Sequence, residues 1–290
     1  MQTLTKPDWL DEHEYPFQSH FFTTPYGDLH YVDEGAGDPI VFVPGNPSWS
    51  FEARNAIKLL AGSYRCIAVD HLGFGFSDKP ADFSYTPPDH AQNLEALLES
   101  LNLARITFVV GDWGGPIGLA YAIRHPEKTK SLVITNTFLW SVQNDWYYQG
   151  FSKFMGGALG RWLIRRNNFF AQNVMTMAYG DKSKLTPAIH RHYLSTNPAE
   201  RKGHGVFPGQ IIGASAWLAS LWEQRRALDG KVALIAWGGK DIAFREKELQ
   251  TWIAAFPQAR VMRFPDSGHY LLEENPKEIA NAIKQLDGKE

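Results

Sequence analysis

The chain has 290 residues, 44% of them hydrophobic and 21% charged, and a formal net charge of −2. With 29 basic against 31 acidic residues and no long run of either sign, nothing draws it to nucleic acid or to an anionic membrane. The single cysteine, Cys66, can neither close an internal disulfide nor build a zinc site alone, which fits a reducing cytoplasm.

Residues 1–17 are acidic and lack an apolar core, so they do not read as a signal peptide. No stretch approaches the roughly 18 to 20 apolar residues of a membrane span. A soluble, cytoplasmic protein is expected. Further on, His20–Thr24 and Leu29–Val32 flank Pro25-Tyr26-Gly27-Asp28, which reads as a β-hairpin. Short apolar runs follow at Pro39–Val43, Tyr64–Val69, Ile106–Val110, Ser131–Thr135, Val232–Ala236 and Arg260–Phe264. Such runs, alternating with helix-like segments, predict a parallel sheet covered on both sides. Between about residues 140 and 212 the strand-like runs vanish and helical segments rich in aromatics take over. That pattern predicts an α/β core domain of residues 1–139 and 213–290, with residues 140–212 as an inserted helical cap over the sheet's carboxyl edge, where ligands bind in open α/β sheets. Trp140, Trp146, Trp162, Phe169 and Phe170 are expected to pack the cap's own core. Residues Pro276 to Leu286 carry apolar side chains at helical spacing and close the chain.

The sharpest signal is Val109-Val110-Gly111-Asp112-Trp113-Gly114-Gly115, which ends one strand and opens a helix. So tight a reversal forces its apex residue into strained backbone geometry and projects the apex side chain above the sheet. Serine hydrolases place Ser at that apex; here it is Asp112. Taken alone, Asp112 also admits the reading of a helix cap. Downstream, Asp241 in Trp237-Gly238-Gly239-Lys240-Asp241 and His269 in Pro265-Asp266-Ser267-Gly268-His269 each follow a strand. The order nucleophile, acid, histidine is that of the α/β-hydrolase arrangement, and three such residues, each just past a strand, point to one catalytic set.

These motifs, together with Pro44-Gly45-Asn46-Pro47-Ser48-Trp49-Ser50, the stretch Asp70 to Pro80, and Phe207-Pro208, resemble the haloalkane dehalogenases of the α/β-hydrolase superfamily over nearly the whole chain. The resemblance implies Asp112 as nucleophile, His269 as base and Asp241 as the acid that orients it. It further implies Asn46 and Trp113 as the halide-binding pair, with their backbone N–H groups as the oxyanion hole. Phe170, Phe207 and Pro208 are the implied pocket-lining residues. In some relatives the acid instead follows the sixth strand; here that region reads Ile134-Thr135-Asn136-Thr137, which leaves Asp241. Pro44 and Gly111 depart from the family pattern without removing a catalytic group.

The chemistry suits these residue types. A halide leaves without needing a proton, so a carboxylate suffices as nucleophile, and neutral N–H donors stabilise the charge that grows on the halogen. The expected partners are a small neutral halogenated substrate, halide ion and water, with no cofactor and no metal. An epoxide hydrolase with the same Asp-His-Asp set is the alternative, with Tyr147, Tyr148, Tyr179 and Tyr193 as candidate acids from the cap. A binding protein on a hydrolase frame is a further alternative, although such proteins usually lose a triad member. Cys66 and His71 read as structural, and Arg165-Arg166 as a solvated face.

Overall fold

The computed structural model describes residues 7–196 and 198–288, so the first six residues of the acidic N-terminal stretch lie outside it. Eight strands form one sheet: β1 (Ser19–Thr24), β2 (Gly27–Gly35), β3 (Pro39–Val43), β4 (Arg65–Val69), β5 (Ile106–Asp112), β6 (Thr129–Thr137), β7 (Val232–Gly238) and β8 (Arg260–Phe264). Their spatial order is β1-β2-β4-β3-β5-β6-β7-β8. The β1–β2 and β2–β4 pairs are antiparallel, and every other pair is parallel. This is the α/β-hydrolase fold, and the predicted hairpin is its antiparallel start.

Sequence dictates the layering. All five residues of β3 are buried, as a strand covered on both faces requires, whereas β8 at the sheet edge keeps its arginines outside. The closing helix Pro276–Leu286 buries Ile279, Ala280, Ala282 and Ile283 and packs against the helix Arg54–Leu60. Cys66 is fully buried in β4, and burial pushes its thiol pKa up to about 12. Three central strands run past their apolar stretches: β5 reaches Asp112 because Asp112 still pairs with Thr137, and β6 and β7 extend to Thr137 and Gly238. Those polar extensions carry the chemistry to the sheet's carboxyl edge.

Between β6 and β7 the described residues form only helices and loops. Among the described residues no helix is long and apolar enough to cross a membrane. The expected aromatic core of this region is only partly realised. Phe170 is buried, and Trp140 packs edge-on against Trp222 and Trp252, but Trp146 is 81% and Trp162 is 56% exposed. Helical geometry explains the difference. The helix Trp146–Met155 turns Tyr148, Ser152 and Met155 inward, and the helix Ala158–Asn167 buries Gly160 and Ile164, which leaves Trp162 on the opposite side.

Candidate active site

Asp112 ends β5 one residue before the helix Gly114–Arg124, with φ at +47°. A non-glycine residue in this left-handed region is strained and needs its surroundings to hold it there. Two features do so. Thr137 Oγ1 donates to the Asp112 carbonyl oxygen, and Gly114 lies so close to β3 that a Cβ there would collide with the Val43 carbonyl. The carboxylate is held as well: the Asn46 backbone N–H donates to Oδ1 at 2.8 Å, and the Trp113 backbone N–H donates to the same group. Burial raises the Asp112 pKa, against the opposing pull of His269 and these two N–H donors.

His269 stands between two carboxylates. Its Nε2 is 3.7 Å from Asp112 Oδ2, and its Nδ1 is 2.9 Å from Asp241 Oδ2. Burial disfavours the imidazolium, but Asp241 and then Asp112 outweigh it, and the His269 pKa rises to about 9. Asp241 is held in turn. Its Oδ1 accepts from the Ala243 N–H at 2.6 Å, and its Oδ2 accepts from Asn136 Nδ2 at 2.5 Å. Asn136 is buried at φ +37°, with its own Oδ1 accepting from the Gly238 N–H at 2.9 Å. The three residues expected to form a triad are thus brought together, and Asn136 is a fourth member that the sequence reading passed over. The signal was a polar residue at a strand's carboxyl end, beside a position where some relatives carry the acid.

The carboxylate and imidazole form part of the wall of a cavity lined otherwise mainly by apolar side chains such as Phe138, Phe151, Phe170, Val174 and Phe244. Among the described residues neither lysine nor arginine lines it. Asn46 and Trp113 both reach this cavity, as do Phe170 and Pro208. Phe207 does not: it is buried and packs edge-on against Trp113, ring centroids 5.6 Å apart, so it supports the indole rather than lining the wall. None of the hydrogen bonds among the described residues engages the Trp113 indole N–H. Asn46 Nδ2 makes only a long contact of 3.5 Å to the His204 carbonyl, and its Oδ1 has no partner among the described residues. Both donors are therefore available to a guest. The loop that carries Asn46 is fixed from below by buried His71, whose Nε2–H donates to the Pro44 carbonyl at 3.1 Å.

Three of the four tyrosines of the helical insertion are engaged by other groups. Tyr147 and Tyr148 line the cavity, but their hydroxyls donate to the Ile242 carbonyl at 2.5 Å and the Ala243 carbonyl at 2.8 Å. Tyr193 donates to Glu273, and the buried Tyr179 hydroxyl lies away from the cavity's lining. Among the described residues no group of His, Cys, Asp or Glu is arranged to hold a metal ion.

Comparison with known proteins identifies the fold and the family. The family model for the α/β hydrolase fold matches residues 38–276. A haloalkane dehalogenase of Mycobacterium marinum is 43% identical, over 93% of this chain and 93% of its own length. A cis-3-alkyl-4-alkyloxetan-2-one decarboxylase of Shewanella oneidensis is 36% identical, over 93% of this chain and 88% of the relative. Among solved structures, the haloalkane dehalogenase DbeA of Bradyrhizobium elkani superposes with a TM-score of 0.83, covering 94% of this chain and 98% of that one. At 23% identity this last likeness speaks for the fold alone. By fold and by sequence, the chain belongs to the haloalkane dehalogenase family of the α/β-hydrolase superfamily.

Proposed function

We propose that this protein hydrolyses neutral haloalkanes to alcohol, halide and a proton through an alkyl ester on Asp112. The observation that carries this reading is the Asp112 carboxylate facing an apolar cavity with two uncommitted side-chain N–H donors beside it. Asp112 attacks carbon from the side opposite the halogen, and the Trp113 indole and Asn46 amide receive the departing halide. That no lysine or arginine among the described residues lines the cavity favours neutral substrates over haloacids. Residues 140–212 serve as the cap that closes the site.

Hydrolysis of the ester needs a neutral imidazole. In the resting site His269 is an imidazolium at neutral pH, because two carboxylates hold its pKa near 9. Alkylation turns Asp112 into a neutral ester and removes one of them, so the His269 pKa falls and its proton can leave. Neutral His269 then takes a proton from water as the oxygen attacks the ester's Cγ, while the Asn46 and Trp113 backbone N–H groups stabilise the oxyanion. The tetrahedral adduct expels the alkoxide, which takes the proton back from His269 and leaves as alcohol. Asp112 remains as the carboxylic acid and returns its proton to His269.

A single turnover in ¹⁸O-water tests this scheme. Unlabelled alcohol in the first turnover supports transfer of the Asp112 oxygen; immediate label in the alcohol means direct attack by water and rejects the ester.

A second reading rests on the oxetanone decarboxylase relative. On a β-lactone, Asp112 would displace the ring carboxylate at carbon, and loss of CO₂ would then expel Asp112 and leave an alkene. Halide release from 1-bromobutane, against CO₂ and alkene release from a dialkyl-β-lactone, separates the two. Epoxide opening finds less support, because the hydroxyls of Tyr147 and Tyr148 are committed to backbone carbonyls.

A further inference from the structure

A second, narrow cavity meets Asp112, His269 and Asn46 and extends to Ser48, Thr135 and Glu52. The mechanism above assigns Glu52 no part. It sits on the short helix Ser50–Ala53 and hydrogen-bonds to the Ser48 side chain. Among the described residues no lysine or arginine pairs with it, since nearby Arg54 is engaged by Glu273 at 2.5 Å and Glu14 at 3.1 Å. The groups that act on it are Glu273 and Tyr270 from the segment after β8, His269, Asp112 from the elbow, and Tyr179 and Tyr193 from the helical insertion.

Each turnover of the proposed reaction yields one net proton. Of the water's two hydrogens, one ends in the alcohol and the other returns through Asp112 to His269, which restores the resting imidazolium. A proton must therefore leave His269 after each alkylation, or no base exists for the ester.

We propose that Glu52 accepts the His269 proton through water in this second cavity and passes it towards solvent, which makes it a positioning and relay residue for the hydrolytic step. The transfer is a plain proton exchange: imidazolium and carboxylate become imidazole and carboxylic acid, which then releases the proton. Burial first, offset in part by Ser48, raises the Glu52 pKa to about 7, where a carboxyl can both take and release a proton near neutrality. This inference rests on the dehalogenase reading.

The test is the Glu52→Gln variant with 1-bromobutane, followed by rapid-quench halide release and mass spectrometry of the intact chain. The expected result is an unchanged first-turnover halide burst, hydrolysis slowed tenfold or more, and accumulation of butylated enzyme. Wild-type hydrolysis should rise with pH through about 7, and the variant should lose that limb. Ser48→Ala removes a hydrogen bond to the Glu52 carboxylate, so the limb should move to higher pH, a shift that a merely structural role would not produce. Unchanged hydrolysis in Glu52→Gln, or a limb unmoved in Ser48→Ala, overturns the relay and leaves the dehalogenase reading standing. Absence of any halide release from the wild-type chain overturns both.

Discussion

Asn136 donates to Asp241 Oδ2 at 2.5 Å, the same oxygen that accepts from His269 Nδ1. The amide therefore fixes the carboxylate that fixes the imidazole. Replacing it by alanine removes a hydrogen bond to a charged group, about 1.5–3 kcal/mol, and also frees the Gly238 N–H. Asn136→Ala should lower the hydrolytic rate by roughly ten- to a hundredfold while sparing the halide burst, since displacement by Asp112 needs no base. Rapid-quench halide release beside steady-state turnover checks this, and equal loss in both phases would reject the assignment.

In the proposed scheme Trp113 and Asn46 act in the other half of the reaction. By analogy with oxyanion-hole deletions, Trp113→Phe or Asn46→Ala should each slow carbon–halogen cleavage by about 10²–10³. Product inhibition by bromide should weaken in parallel, because the same donors hold the ion. A variant with a slowed burst but unchanged bromide inhibition would show that the donor does not contact the halide.

Stability should depend on pH through three buried histidines. Burial lowers the pKa of His71 to about 4 and of His204 to about 3, and holds that of His90 well below its ordinary value; neither ring nitrogen of His90 has a partner among the described residues. These groups are neutral in the fold but bind protons once unfolded. Their contribution is therefore intact above pH 6.5 and is lost as pH falls towards 4. His269, with its pKa raised, works in the opposite sense: its contribution is present below pH 6.5 and fades as pH rises through about 9. Denaturant midpoints should peak near neutrality. His90→Phe, which keeps the stack on Phe207, should flatten the acidic side; an unchanged slope would rule His90 out as a source.

Much of this was legible in the sequence because strand-end positions carry both fold and chemistry. Asp112 and Asp241 close buried apolar runs and His269 follows the half-apolar run of the edge strand β8, so their meeting at one sheet edge follows from topology. Asn136 and Glu52 gave no comparable signal. Asn136 reads as one polar residue in a strand, and its role appears only when β7 brings Asp241 beside it. Glu52 reads as a surface residue of a short helix until folding sets it against a cavity shared with His269. The split between Phe170 at the wall and Phe207 behind Trp113 was equally hidden, since it depends on how each helix is rotated.

The tyrosine pair Tyr147 and Tyr148 offers the clearest separation of dehalogenation from epoxide opening. Their hydroxyls hold the carbonyls of Ile242 and Ala243, directly after Asp241 in the chain, so they clamp the helical insertion to the loop that carries Asp241. Burial also pushes the Tyr148 phenol pKa up, which opposes loss of its proton to a developing alkoxide but favours a stable hydrogen bond. If the clamp is their role, Tyr148→Phe should cost about 0.5–1.5 kcal/mol of stability, and Tyr147→Phe less, since that contact is exposed. Hydrolysis should slow only a few-fold and the halide burst should persist. If the pair instead serves as the acid of an epoxide hydrolase, the wild type should open styrene oxide and the double variant should lose that activity while keeping its melting temperature. Thermal melts and the two substrate assays on the same preparations decide between these outcomes, because the clamp couples stability to hydrolysis and the acid role does not.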